Sequence, residues 1–204
     1  GPFLRGFEQF FMDLYINESF AHKLIGKIAD VIIQFYSYYL QDVGPMIDCV
    51  EFSSDHGMQD RLLVSPDIYR KFFKDPYTRV FREIKKVAPK AKIFLHSCGS
   101  VRAIIPDFIE MGVDILNPVH ITATGMEPVQ LKKDFGNDIV FWGGGVDTQQ
   151  VLPSGTVQQV KDDVKRNIEA LAPGGGFVFS TVHNIQAEVP PENIMAMWKT
   201  LMEY

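Results

Sequence analysis

The chain has 204 residues, a length that suits one domain. Hydrophobic residues make up 46 % and charged residues 22 %, which excludes a disordered chain. Its 20 basic and 25 acidic side chains leave a formal charge of −5, which argues against a nucleic-acid-binding protein. Two cysteines, Cys49 and Cys98, cannot make a disulfide scaffold. The longest uncharged apolar run, around Val31 to Leu40, is too short to span a bilayer and is interrupted by Gln34, Tyr36, Ser37, Tyr38 and Tyr39. The opening Gly1-Pro2-Phe3-Leu4 is not a signal peptide, so a cytoplasmic location is expected. Because the chain opens on Gly rather than Met, a start partway through a longer protein is expected.

Glu8 to Tyr15 reads as a helical turn or two. Leu24, Ile28, Val31, Ile32 and Phe35 recur at helical spacing and predict a long helix from about Glu18 to Val43, stopped by Gly44-Pro45. Ile47 to Phe52 is a predicted strand. Ser65 as N-cap and Pro66 at the first helical position open another helix, which Pro76 is expected to split. Ala91 to Leu95 is a strand, Val101 to Met111 a helix closed by Gly112, and Val113 to Leu116 a strand. The helix Glu127 to Phe135, the strand Ile139 to Trp142 and the helix Ser154 to Leu171 follow. Gly174-Gly175-Gly176 is a helix-terminating turn before the strand Phe177 to Phe179, and Pro190-Pro191 opens the last helix. Strict alternation of short apolar strands with amphipathic helices means a parallel sheet covered by helices. Five strands suffice for an open doubly wound sheet, whereas a (β/α)8 barrel would lack three.

In either architecture ligands bind beyond the carboxyl ends of the strands. Those ends carry Ser54, Asp55 and His56; His96 and Cys98; Asn117 and His120; Asp147; and Thr181, His183 and Asn184. Four of the five histidines and one of the two cysteines therefore fall on one predicted face. His96-x-Cys98 is the sharpest element. Residues two apart on a strand share a face, and imidazole with thiolate suits zinc. A third ligand could come from His183, His120, His56 or Asp55. The alternative without metal is a small buried thiol beside a hydrogen-bonded imidazole. Asp55 and Asp147 are candidate acids or cation partners, and loop aspartates are also turn-formers. Gly143-Gly144-Gly145 lacks the dinucleotide spacing and reads as a close approach to a ligand or another loop. Nine basic residues, Arg70, Lys71, Lys74, Arg79, Arg82, Lys85, Lys86, Lys90 and Lys92, read as a solvated helix face or an acidic partner's dock.

The chain resembles the uroporphyrinogen decarboxylase superfamily, which includes porphyrinogen decarboxylases and zinc- and corrinoid-dependent methyltransferases. The resemblance covers essentially the whole chain. It rests on Gly1-Pro2-Phe3, Ser54-Asp55-His56-Gly57 with Ser65-Pro66-x-x-Tyr69, His96-Ser97-Cys98-Gly99, Asp114-Ile115-Leu116-Asn117-Pro118-Val119, Phe141-Trp142-Gly143-Gly144, Gly174-Gly175-Gly176-Phe177 and Pro190-Pro191-Glu192-Asn193-Ile194. It implies a (β/α)8 TIM barrel, of which this single domain, residues 1–204, would hold roughly strands 3 to 8. The first two strands, with an Arg and an Asp that serve the decarboxylases, would be absent, leaving a poor decarboxylase.

Ser54 and His183 match positions that decarboxylases use toward the porphyrinogen. The His-x-Cys matches the methyltransferases, whose His and Cys bind zinc with a second Cys near the last strand, where this chain has His183. His120 stands where relatives often have Gln. The leading expectation is a zinc-dependent methyltransferase with His96, Cys98 and His183 on zinc, exchanging a methyl group between a small thiol or methyl ether and a corrinoid protein. His56, Asn117, His120 and Asp147 would contact substrate. The runner-up is a cofactor-free uroporphyrinogen decarboxylase in which Ser54 and His183 would position the substrate; His183, Asp55 and Ser54 are the candidate catalytic residues. A non-catalytic tetrapyrrole- or partner-binding barrel is the third reading. A homo-oligomer is a further expectation, since an incomplete barrel leaves strand edges to cover.

Overall fold

The computed structural model describes residues 1–204 and divides them into two compact units. Each unit is assembled from separate stretches of chain, so no linker marks a boundary. No helix is long and apolar enough to cross a membrane.

The first unit comprises 1–51, 64–93 and 106–113. It holds α1 (Pro2–Arg5), α2 (Phe7–Ile16), the long α3 (Glu18–Val43), α4 (Pro66–Tyr69), α5 (Asp75–Val87) and most of α6 (Ile105–Glu110). The long helix has the predicted span; its buried residues are Ala21, Ile25, Ala29 and Leu40, while Leu24, Ile28 and Ile32 are half-buried and Val31 and Phe35 are 56 % and 60 % exposed. Helix α3 packs along α5. Ser65 caps α4 by accepting the Ile68 N–H. Pro76 does not split the following helix. The turn before it, Arg70–Lys74, is π-helical, and this wider turn takes up the ring and missing N–H of Pro76.

The basic segment is largely paired within its own unit. Arg70 and Lys74 both reach buried Asp107, Lys71 reaches Glu18, Arg79 reaches Asp30, and Lys86 reaches Glu83. Burial pushes the Asp107 carboxyl up, but its bonds from Arg70 and Lys74 outweigh that and hold it below the usual carboxylate range.

The second unit comprises 52–63, 94–105 and 114–204. Here the strands end and the loops beyond them gather. The sheet is β1 (Cys49–Ser53), β2 (Lys92–His96), β3 (Ile115–Asn117), β4 (Val140–Trp142) and β5 (Phe177–Val178), hydrogen-bonded in chain order. The pairs β2–β3, β3–β4 and β4–β5 are parallel. A doubly wound sheet reverses its strand order at a switch point. Strands that neighbour one another in chain order are instead the consecutive strands of a (β/α)8 barrel. The helices of this unit are α7 (Pro128–Phe135), α8 (Val151–Ser154), α9 (Val157–Leu171) and α10 (Pro191–Leu201), and α9 packs against the other three.

Val146, Leu152, Val160, Val164, Ile168 and Met197 form the core beneath these helices. The helix expected from Ser154 to Leu171 begins at Val157, because Thr156 accepts the Gln159 N–H and Gln159 accepts the Thr156 N–H; the short α8 ends at Ser154, just ahead of this cap.

Register carries the side chains to the site. His96 pairs with Asn117 at the ends of β2 and β3, and Leu116 pairs with Phe141 one residue before Trp142. His96, Asn117 and Trp142 therefore end adjacent strands on one face, while Ile93 and Leu95 are fully buried on the other face of β2.

Candidate functional site

All the site residues belong to the second unit. The loop after β1 zips onto the loop after β2: the Gly57 N–H donates to the Cys98 carbonyl at 3.2 Å and the Ser100 N–H to the Met58 carbonyl at 2.8 Å. Glycine is required on both sides. A Cβ on Gly57 would lie 2.5 Å from the Cys98 carbonyl oxygen, and one on Gly99, whose φ is +87°, would lie 2.5 Å from the Gly57 carbonyl carbon. This contact places Asp55 over Cys98, and Asp55 Oδ1 accepts the Cys98 backbone N–H at 2.9 Å.

Asp55, His96 and Cys98 offer a carboxylate oxygen, a ring nitrogen and a sulfur within 4.8 Å of one another. Cys98 Sγ is 3.4 Å from His96 Nε2, which is 3.8 Å from Asp55 Oδ1. Two ligands on a tetrahedral ion with bonds of about 2.0–2.3 Å stand roughly 3.5 Å apart, so these separations suit one zinc-class cation. Burial pushes the Cys98 thiol up to about 11, and the Asp55 carboxylate adds to the shift. Without a cation the thiol is protonated at neutral pH. A divalent ion would relieve both the desolvation and the repulsion by Asp55. The donor set thus fits a thiolate-accepting metal better than a free cysteine nucleophile.

Behind the cluster, His96 Nδ1 lies 2.7 Å from Asn117 Oδ1, and Asn117 Nδ2 donates to the Trp142 carbonyl at 2.9 Å. Trp142 also packs edge-on against Phe94, ring centroids 5.3 Å apart, so an apolar layer underlies the polar one. Asn117, expected to bind substrate, has its amide committed to these two neighbours.

A cavity of about 470 Å³ opens beside the cluster, lined by Cys98, His120, Thr148, Gln149, Val182, His183, Asn184 and Gln186. Cys98 alone belongs to both cluster and cavity. His120 Nε2 is buried there without a hydrogen-bond partner. His183, expected as a zinc ligand, is exposed and lines the cavity; the third donor gathered with His96 and Cys98 is Asp55. Ser54 continues the β1–β2 pairing, its N–H donating to the His96 carbonyl at 2.9 Å.

Two expected substrate contacts are not placed for that role. His56 is 5 % exposed, its backbone N–H donates to Ser97 Oγ, and burial lowers its pKa to about 4. The Asp147 carboxylate accepts the Gln149 and Gln150 N–H groups and so forms the turn into α8, while its own N–H donates to Asp163. Thr148, Gln149 and Gln186 had no motif to mark them. Gln149 is tied across the loops, accepting from Thr122 Oγ1 and donating to Gln59 Oε1, and Gln59 donates to the Thr122 carbonyl. Gly144 fulfils the expected close approach: a Cβ there would lie 2.9 Å from Val119 Cβ in the loop after β3.

The family model described as uroporphyrinogen decarboxylase (URO-D) matches residues 1–204. A uroporphyrinogen decarboxylase of Trichodesmium erythraeum (strain IMS101) is 25 % identical over 189 residues, 93 % of this chain and 49 % of its own length. Among solved structures, a methyltransferase from Methanosarcina mazei superposes with a TM-score of 0.73 at 19 % identity, over 96 % of this chain and 53 % of its own. The chain thus spans about half the length of these relatives, and the superposition shows the same α/β fold. With five parallel strands in chain order and a match from end to end, the chain belongs to the uroporphyrinogen decarboxylase family.

Proposed function

We propose that this chain carries the metal site of a zinc-dependent methyltransferase, which moves a methyl group between a small thiol or methyl ether and a corrinoid held by a partner protein. The observation that carries the reading is the Asp55–His96–Cys98 cluster at the wall of the cavity. A zinc-class cation held there supplies Lewis acidity, keeping a substrate thiol deprotonated or polarising an ether oxygen at neutral pH. The protein's part is placement. Asp55 ties the β1 loop to Cys98 through the backbone N–H, His96 is held from behind by Asn117, and Cys98 brings the cluster to the cavity. His120, Gln149 and His183 line the space where the substrate's polar groups would be held, and Val182 gives it an apolar wall. The corrinoid would approach over the strand ends.

Metal analysis of the chain purified without chelator tests the reading, beside Cys98→Ser. About one zinc per chain, lost in the variant, supports it. No zinc after attempted reconstitution overturns it.

A decarboxylase acting on tetrapyrrole acetate groups is the second reading, favoured by the identity to the Trichodesmium enzyme. Decarboxylation of uroporphyrinogen by metal-free protein, unchanged in Cys98→Ser, would select it.

A further inference from the structure

The side-chain amide of Asn117 has two neighbours whose chemistry settles its orientation. The Trp142 carbonyl, 2.9 Å away, can only accept, so the amide group facing it is the NH₂. The atom 2.7 Å from His96 Nδ1 is then the amide oxygen, which also can only accept. His96 must donate, so its proton sits on Nδ1. In the neutral ring Nε2 is left with a lone pair, 3.4 Å from Cys98 Sγ and 3.8 Å from Asp55 Oδ1. Free histidine in water favours the opposite tautomer. The parallel register that sets Asn117 beside His96, with Trp142 on the next strand, builds the three-member chain into the sheet.

We propose that Asn117 is a positioning residue that locks His96 in its Nδ1–H tautomer and aims the Nε2 lone pair into the Asp55–Cys98 cluster. Its consequence for metal binding rests on the methyltransferase reading above; the tautomer does not. Outer partners of this kind set the orientation and basicity of a ligating imidazole.

The test uses ¹⁵N-labelled chain freed of metal with chelator, above the pH at which imidazole protonates. Two-bond ¹H–¹⁵N spectra distinguish the tautomers, and His96→Gln assigns the signals. Wild type is expected to show His96 protonated on Nδ1. Asn117→Ala is expected to move the proton to Nε2, whereas Asn117→Asp keeps it on Nδ1, because a carboxylate also accepts. Both variants lose the bond to the Trp142 carbonyl, so a merely structural role would move them alike. A wild-type His96 protonated on Nε2 overturns the proposal by itself, even if a variant does not fold. So does an unchanged tautomer in Asn117→Ala.

Zinc affinity, read in parallel by competition with a chromophoric chelator, is expected to fall about 10–100-fold in Asn117→Ala and to stay near wild type in Asn117→Asp. A wild-type chain that binds no zinc sinks the methyltransferase reading, while the spectra still decide the tautomer.

Discussion

Cys98 is the residue on which the cluster and the cavity meet, and its thiol is pushed up to about 11 by burial and by Asp55. Removing one of two mutually unfavourable acids has opposite effects with and without metal. In metal-free protein Asp55→Ala should lower the Cys98 pKa, read from thiolate absorbance against pH. The same variant should weaken zinc by more than the roughly 10–100-fold that loss of an outer partner brings, because a donor itself is gone. His183→Ala should leave zinc stoichiometry unchanged, since His183 lines the cavity and is not one of the three gathered donors. Zinc lost in His183→Ala but kept in Asp55→Ala would reverse that assignment. His-x-Cys was legible in the sequence because two residues of spacing on a strand is a local rule. The partnership with Asp55 was open among four candidates, because it is made between two loops, where Asp55 meets Cys98, 43 residues further along the chain.

At the scale of elements, the two loops approach only because positions 57 and 99 lack side chains. Gly99→Ala adds a Cβ 2.5 Å from backbone in a residue with φ of +87°. Its expected outcome is loss of zinc with helical circular dichroism retained, since the clash is confined to the strand-end loops. Retained zinc would show that the loops tolerate separation. Thr156→Ala removes the reciprocal cap that starts α9, and should cost about 1 kcal/mol in urea unfolding.

Helix starts were the most legible elements: Ser65-Pro66 and Pro190-Pro191 specify their turns from adjacent residues. The one-turn α8, which has no side-chain cap, carries no such signal, and the Thr156–Gln159 box starts α9 at Val157 rather than at Ser154. The span of α3 was legible from the spacing of its large apolar residues, but the spacing did not mark which of them are buried. Periodicity weights large side chains, whereas two of the four buried residues of α3 are alanines.

For the whole molecule, acid stability is set by groups whose burial forbids charge. His56 has its pKa lowered from 6.5 to about 4, so below pH 6.5 the unfolded chain takes up a proton that the folded chain refuses. The stability present above 6.5 is lost as pH falls toward 4, by about 3 kcal/mol if the full shift operates. Asp107 works the other way round in charge: its lowered carboxyl stabilises the fold above the ordinary 3.8 and loses that contribution only at lower pH. The urea midpoint should therefore fall between pH 6.5 and 4, and His56→Gln should flatten that slope. An unchanged slope in the variant would remove His56 as its source.

Family, alternation of strands and helices, and the crowding of histidines at strand ends all followed from the order of residues, because each depends on local spacing or contiguous motifs. Tertiary structure decided which of those polar residues meet. Parallel register brought Asn117 to His96, glycine-permitted loop contact brought Asp55 to Cys98, and burial withdrew His56 into the interior. These are distances between segments far apart in the chain, and only the packed sheet and its loops determine them.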